Sequence, residues 1–381
     1  MKTLRILLAA AVMTGICAAQ RHKLVINAET PEGQLLQQIG QEQDTAKKTS
    51  LMEEFLAKHP KHEGAGWVLD QLVNSYLKAN DFDKALDAGQ KLLSLDPDDL
   101  STSHNCLKAA EGKKDPDAIR RWAASTSALA RKIAATPKPA DADAEEEWKS
   151  NVDYAKQVDT YTEYALYVAA LGAQDPTKRI ALIEALQAQS PQSQYIRQLE
   201  GLYFLALRQA QQNDKAIAVA EKVLEREQTN EDMLLAVMDH YYNKKQNPDK
   251  VIAYGNKLAE LMSSKPKPEG VSEADWEKRK RLMIGMGYWM SGMTYASQNK
   301  HVETDRDLRK ALPLVSDNDQ LKAQALFYLA LANYRLGEPR NDKKLIAEAL
   351  RFNQQCAAIK SPFQATARKN AAAISAQYGL K

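Results

Sequence analysis

The sequence predicts an all-α fold in which helical hairpins stack in series as a solenoid. Apolar residues recur at helical spacing along most of the chain. Leu69, Leu72, Val73 and Tyr76 form one such run, and Phe82, Ala85, Leu86, Gly89, Leu92 and Leu93 form the next. Short polar turns separate the runs, Asn80-Asp81 within this pair and Asp96-Pro97 after it. Gly (16) and Pro (14) are too sparse for the many tight turns of an all-β chain.

Residues 1–19 read as a secretory signal peptide. Lys2 and Arg5 precede an apolar stretch from Ile6 to Ile16, and Cys17-Ala18-Ala19 supplies small residues before Gln20. Cleavage is expected near Ala19, giving a periplasmic or secreted chain. The apolar stretch is shorter than the roughly 20 residues of a spanning helix. Bulky Ile16 argues against acylation of Cys17. No other stretch is long and apolar enough to span a membrane, so none is expected after cleavage. Residues 20–65 form an N-terminal extension with a degenerate helical pair ending at Pro60. Residues 66–191 and 192–316 then form two three-unit modules, and residues 317–381 a final unit with a capping helix over 363–378.

The segment from Gly66 to Asp99 resembles a tetratricopeptide repeat, a helix–turn–helix unit of roughly 34 residues. Leu69, Leu72, Tyr76, Ala85 and Pro97 fall at the family's signature places. Val73 and Gly89 depart from it, standing where the family prefers a small residue and an aromatic. Further units carry Phe204, Leu207, Ala216 and Ala220; Leu234, Val237 and Tyr241; Tyr288, Gly292 and Tyr295; and Phe327, Leu331, Tyr334 and Ala349. Weaker pairs lie over 31–60, 100–136 and 148–191. The resemblance implies a right-handed superhelical solenoid and a protein-binding scaffold without cofactor.

A duplication links the two modules. Asp83-Lys84-Ala85 aligns with Asp214-Lys215-Ala216, Asp115-Pro116-Asp117 with Asn247-Pro248-Asp249, and Trp148 with Trp276, each roughly 130 residues apart. Pro-rich, acidic loops over 136–147 and 264–275 lead to these two Trp residues, which are expected to pack back on the array. His104 and His240 are read as near-equivalent places in the two modules.

Composition narrows the function classes. Lys and Arg (52) nearly balance Asp and Glu (49), and loss of residues 1–19 leaves a charge of about +1. Nucleic acid binding would call for a basic face, and the run Lys278-Arg279-Lys280-Arg281 reads as a solvated helix side. No His-Glu-x-x-His, Gly-x-Ser-x-Gly, Cys-x-x-Cys or P-loop occurs, and Gly285-Met-Gly287 lacks the third glycine of a dinucleotide loop. His59 and His62 flank a proline turn with no further metal ligand nearby. Asp96-Pro97-Asp98-Asp99 reads as a turn with an Asp to cap the next helix. Cys106 and Cys356 are far apart in a series of hairpins and read as separate buried thiols. The expectation is no enzyme, no metal and no cofactor.

The resemblance implies that the first helix of each hairpin lines a concave groove. It places Asp70 and Asn74 there in the first clear unit, Asp239 and Tyr242 in the unit from 231, and Met286, Trp289 and Met293 in the unit from 285. Asn74 stands where family members hold a peptide backbone. Asp70 stands where some carry the Lys of a carboxylate clamp, so that clamp is not expected. The groove reads as apolar and mildly acidic, suited to a peptide or helix of a protein partner. An alternative is an enzyme subunit, or an envelope assembly or uptake component, that holds a glycan or protein substrate. Asp239 with Glu163 or Asp159 would be its candidate carboxylates.

Overall fold

The computed structural model describes His22, Leu24 and residues 26–380. The signal segment, the cleavage point and Cys17 lie outside the described residues. All described regular structure is helical: α1 (Pro31–Gln41), α2 (Thr45–Lys58), α3 (Ala65–Lys78), α4 (Phe82–Leu95), α5 (Leu100–Lys113), α6 (Pro116–Ala134), α7 (Ala142–Gly172), α8 (Pro176–Gln189) and α9 (Tyr195–Gln209). These are followed by α10 (Asn213–Leu224), α11 (Glu231–Lys244), α12 (Pro248–Ser264), α13 (Glu273–Ser297), α14 (His301–Ala311), α15 (Asp319–Gly337), α16 (Lys343–Ala357) and α17 (Gln364–Tyr378). A single 3-10 turn, Glu338–Arg340, occupies the insertion before α16.

Helix starts follow from their caps. Asp81, Asp99, Asp115, Asp175, Asn230 and Asp342 each accept a hydrogen bond from a backbone N–H of the next turn. Pro31, Pro116, Pro176 and Pro248 open four helices, where a missing N–H costs nothing. The turns inside the hairpins need one left-handed residue. Asn80, Lys114, Gln211, Lys245, Asn299 and Asn341 fill it with φ from 48 to 59 among them and no glycine.

The chain divides into two compact units, Met1–Leu199 and Glu200–Lys381, with the division inside α9. In the first unit each helix from α1 to α8 packs on the next, and α3, α5 and α7 also touch in series. In the second unit α10 to α17 pack in the same order, and α11, α13 and α15 touch in series. Each unit is therefore an all-α solenoid of stacked hairpins. Helix starts at 65, 82, 100, 116 and 142 recur at 195, 213, 231, 248 and 273, each about 130 residues on.

Small residues set the closest approaches. A Cβ on Gly89 would collide with the sulfur of Cys106, so only a glycine leaves room for that thiol. Gly255 of α12 faces Gly287 of α13 so tightly that an added Cβ would lie 2.7 Å from the Gly287 carbonyl. Cys106 and Cys356 are both buried free thiols. Burial pushes the Cys106 thiol up to about 12, out of reach of redox chemistry at neutral pH.

Three readings need correction. The acidic run Asp143 to Glu147 is helical, forming the first turns of α7, so the loop before it is shorter than 136–147; likewise α13 begins at Glu273. Trp148 ties back to the end of α6 by donating to the Thr136 carbonyl (3.0 Å), while Trp276 is buried. His104 is the fifth residue of α5 and His240 the tenth of α11, so they are not equivalent. The basic run is not simply solvated: Arg279 pairs with Asp232, and Arg281 donates to the Pro313 carbonyl (2.8 Å).

Candidate functional site

The second unit carries a recess of about 500 Å³ on the first helices of three successive hairpins. Phe204, Leu205 and Arg208 come from α9, Asp232, Leu235, Ala236 and Asp239 from α11, and Arg279, Met286 and Met290 from α13. The spacing explains this convergence. Positions 232, 235, 236 and 239 form one stripe of α11, while Leu234, Val237 and Met238 on its other side are buried in the core. The floor is apolar, and Leu205 leaves 45% of its surface exposed.

Charge sits around this floor. Arg279 grips both carboxylate oxygens of Asp232 at 2.9 Å, bracing α13 against α11. Asp239 accepts from the Asn243 amide at 3.0 Å. Neither Arg208 nor Asp239 has an ion-pair partner among the described residues. The recess is therefore apolar with charges of both signs, Arg208 and Arg279 adding to the acids Asp232 and Asp239.

The seven residues singled out in the sequence do not form one surface. Asp239 and Met286 line the recess. Trp289 (5% exposed) and Met293 (6%) are packed between helices and are not open anchors. The Trp289 indole donates to the Leu321 carbonyl of α15 at 3.2 Å, and its ring meets Tyr242 edge-on, with 5.6 Å between centroids. Burial pushes the Tyr242 hydroxyl up to about 12.

Asp70 and Asn74 belong to the first unit. The Asn74 amide donates to the Asp70 carbonyl at 2.9 Å, and its oxygen accepts from Asn105 at 3.5 Å, so this side chain is committed within the protein. Burial, then the Asp99 charge, raises the Asp70 carboxyl. Asp159 is held by Arg131 at 2.9 Å and is no isolated acid. His59 and His62 pack their rings on Phe55.

Two features escaped the sequence reading. Tyr161, Tyr164, Tyr167 and Tyr195 form a ladder in the first unit, and Tyr167 and Tyr195 stack at 4.7 Å. The helical spacing of the α7 tyrosines was the available signal. The second is a clasp between neighbouring hairpins. Tyr76 of α3 donates to Glu53 of α2 at 2.6 Å, and Lys84 of α4 reaches the same oxygen at 3.0 Å while lying over the Tyr76 ring. Tyr241, Glu221 and Lys250 repeat it in the second unit at 2.6 and 2.6 Å. The hydrogen bond from Tyr76 chiefly holds Glu53 below the usual glutamate range. Burial works to raise Glu221, but hydrogen bonds from Lys250 and Tyr241 outweigh it and hold it low.

No family model matches the chain, and no curated protein matches it. Among solved structures it is similar to the P58(IPK) TPR domain, at 12% identity over 91% of this chain and 98% of that one, with a TM-score of 0.26. It is similar to yeast Tom70, at 12% identity over 92% of this chain and 77% of that one, with a TM-score of 0.23. A third is Naa15/Naa10 bound to HypK-THB, at 13% identity over 93% of this chain and 56% of that one, with a TM-score of 0.27. All three likenesses are weak in sequence and in superposition, and the fold rests on this chain's own helix order and packing.

Proposed function

We propose that this chain is an exported, non-catalytic scaffold that binds a protein partner through the recess on α9, α11 and α13. The observation that carries this reading is an apolar floor built from three successive hairpins and flanked by Arg208 and Asp239. An extended peptide or a helix of the partner would bury apolar side chains against Phe204, Leu205, Leu235, Met286 and Met290. An acid near Arg208 and a base near Asp239 would set its direction. Export is supported by the charged, apolar and small-residue pattern of residues 1–19. No described helix is long and apolar enough to cross a membrane.

The test is affinity capture from envelope extracts with the intact protein, a Leu235→Asp/Met286→Asp variant, and an Arg208→Glu variant. Both sites are partly exposed, so helicity and melting temperature should stay close to the parent. Loss of the captured partner from the first variant and weakening by about tenfold from the second are the expected results. Identical partner sets for all three would retire the recess. The same preparation should yield a mature chain beginning at Gln20.

A further inference from the structure

No side-chain pattern in the sequence spells out a metal site, but a chain released after Ala19 gains one at its new end. It would begin Gln20-Arg21-His22, with a free amine on the first residue and an imidazole on the third. These residues supply four nitrogens: the Gln20 amine, the Arg21 and His22 backbone nitrogens, and His22 Nδ1. Their spacing closes two five-membered chelate rings and one six-membered ring around a single ion, all in one plane. Neither Arg21 nor His22 is proline, so both backbone nitrogens carry a proton to lose. Square-planar nitrogen ligation selects Cu(II) and Ni(II).

His22 is held in the state this chemistry needs. Its Nε2 lies 3.2 Å from Asp99 Oδ2, and a carboxylate only accepts, so Nε2 carries the proton. In the neutral ring Nδ1 is then the bare nitrogen, the one within chelate reach of the backbone. Asp99 is a fixed partner. It is 3% exposed and caps α5 through Thr102, accepting from its N–H at 3.1 Å and from its hydroxyl at 2.7 Å. A side chain on Gly66 would place its first carbon 3.3 Å from Nδ1, so glycine keeps that flank of the ring clear. Metal-binding histidines commonly donate their second nitrogen to a carboxylate in this way, which fixes the tautomer and orientation of the ring. Gln20 and Arg21 lie outside the described residues and enter only through their amine and backbone nitrogens.

We propose that the mature amino terminus binds one Cu(II) ion through the Gln20 amine, the Arg21 and His22 backbone nitrogens and His22 Nδ1, with Asp99 holding the ring. The two backbone nitrogens release their protons to solvent, and their two negative charges balance the ion. Nothing is oxidised or reduced. Cu(II) outranks Ni(II) and Zn(II) for such a donor set. The inference rests on the export reading, since an uncleaved chain has no amine at residue 20. It does not depend on the α9–α11–α13 recess.

The experiment titrates Cu(II), with glycine as competing chelator, into a chain released from a fusion so that Gln20 is its first residue. One equivalent should bind, with the visible d–d band and nitrogen hyperfine pattern of a square-planar four-nitrogen site, and excess Zn(II) should not displace it. His22→Ala should lose that signal. So should a chain carrying one extra residue before Gln20, which leaves His22 and the fold untouched but moves the imidazole to fourth place. Asp99→Asn still caps α5 but turns an amide N–H toward Nε2, so binding should weaken about tenfold at an unchanged melting temperature. Unchanged affinity would overturn the part given to Asp99. Equal signal from the extended chain, or none from the chain beginning at Gln20, would overturn the proposal and leave the export reading intact. Mass spectrometry of the chain recovered from the envelope separates the two further. A start elsewhere retires the cleavage site and the metal site together. A start at Gln20 lacking one ammonia, the mark of its side chain having closed on the amine, retires the metal site alone.

Discussion

At the residue scale, buried polar groups carry the informative chemistry. His104 is 4% exposed, with Nε2 unmatched, Nδ1 3.3 Å from the Tyr154 hydroxyl, and its ring edge-on to Tyr161 at 4.8 Å. Burial, then the Lys108 charge, lowers its pKa to about 3. The unfolded chain takes a proton on this histidine below about 6.5, whereas the folded chain does not until about 3. Between those values the unfolded state binds more protons, so stability falls as pH falls, by at most about 1.4 kcal/mol per pH unit from this group. Urea midpoints of the parent should therefore drop from pH 6.5 to 4.5, and those of His104→Leu should change less. Equal slopes would assign the pH dependence elsewhere.

At the element scale, the hairpin turns are the clearest departure from what a designer would choose. Lys114 and Lys245 hold φ of 54 and 53 at corresponding ends of α5 and α11, a conformation that costs a non-glycine residue about 1 kcal/mol. Lys114→Gly and Lys245→Gly should each raise stability by about that amount in chemical denaturation, whereas Asn299→Gly should do less, since asparagine tolerates the left-handed region. The helices themselves were legible. Periodicity and Asp-Pro or Asn-Asp punctuation located α3, α4, α16 and α17 because an amphipathic face and a cap are local properties. The early starts of α7 and α13 were missed because their first turns are charged and carry no apolar stripe. Acids there suit the helix dipole instead.

At the scale of the whole molecule, stability is a sum over joints between neighbouring hairpins. The Tyr-Glu-Lys clasp occupies one joint in each unit. Both glutamates titrate below the ordinary range, so the clasps are complete above about pH 4.3 and are lost as pH falls through the lowered values. Glu53→Gln should speed amide exchange severalfold in α2 to α4 and leave α10 to α12 unchanged, with Glu221→Gln doing the reverse. Solvent screening keeps each effect modest. Exchange that rises throughout both units in either variant would contradict nearest-neighbour stability.

The sequence by itself determined the all-α class and the hairpin rhythm, because these follow from spacing and turn chemistry within some tens of residues. Of the residues it singled out on α11 and α13, Asp239 and Met286 line the recess. Tertiary structure decided which groove candidates are buried. Trp289 and Met293 look like anchors on a helical wheel, but α15 packs over that part of α13 and the indole is spent on the Leu321 carbonyl. Arg208, Arg279 and the clasps were invisible for the same reason. Each depends on which distant side chain lies opposite, and a helix's own periodicity holds no record of its neighbour.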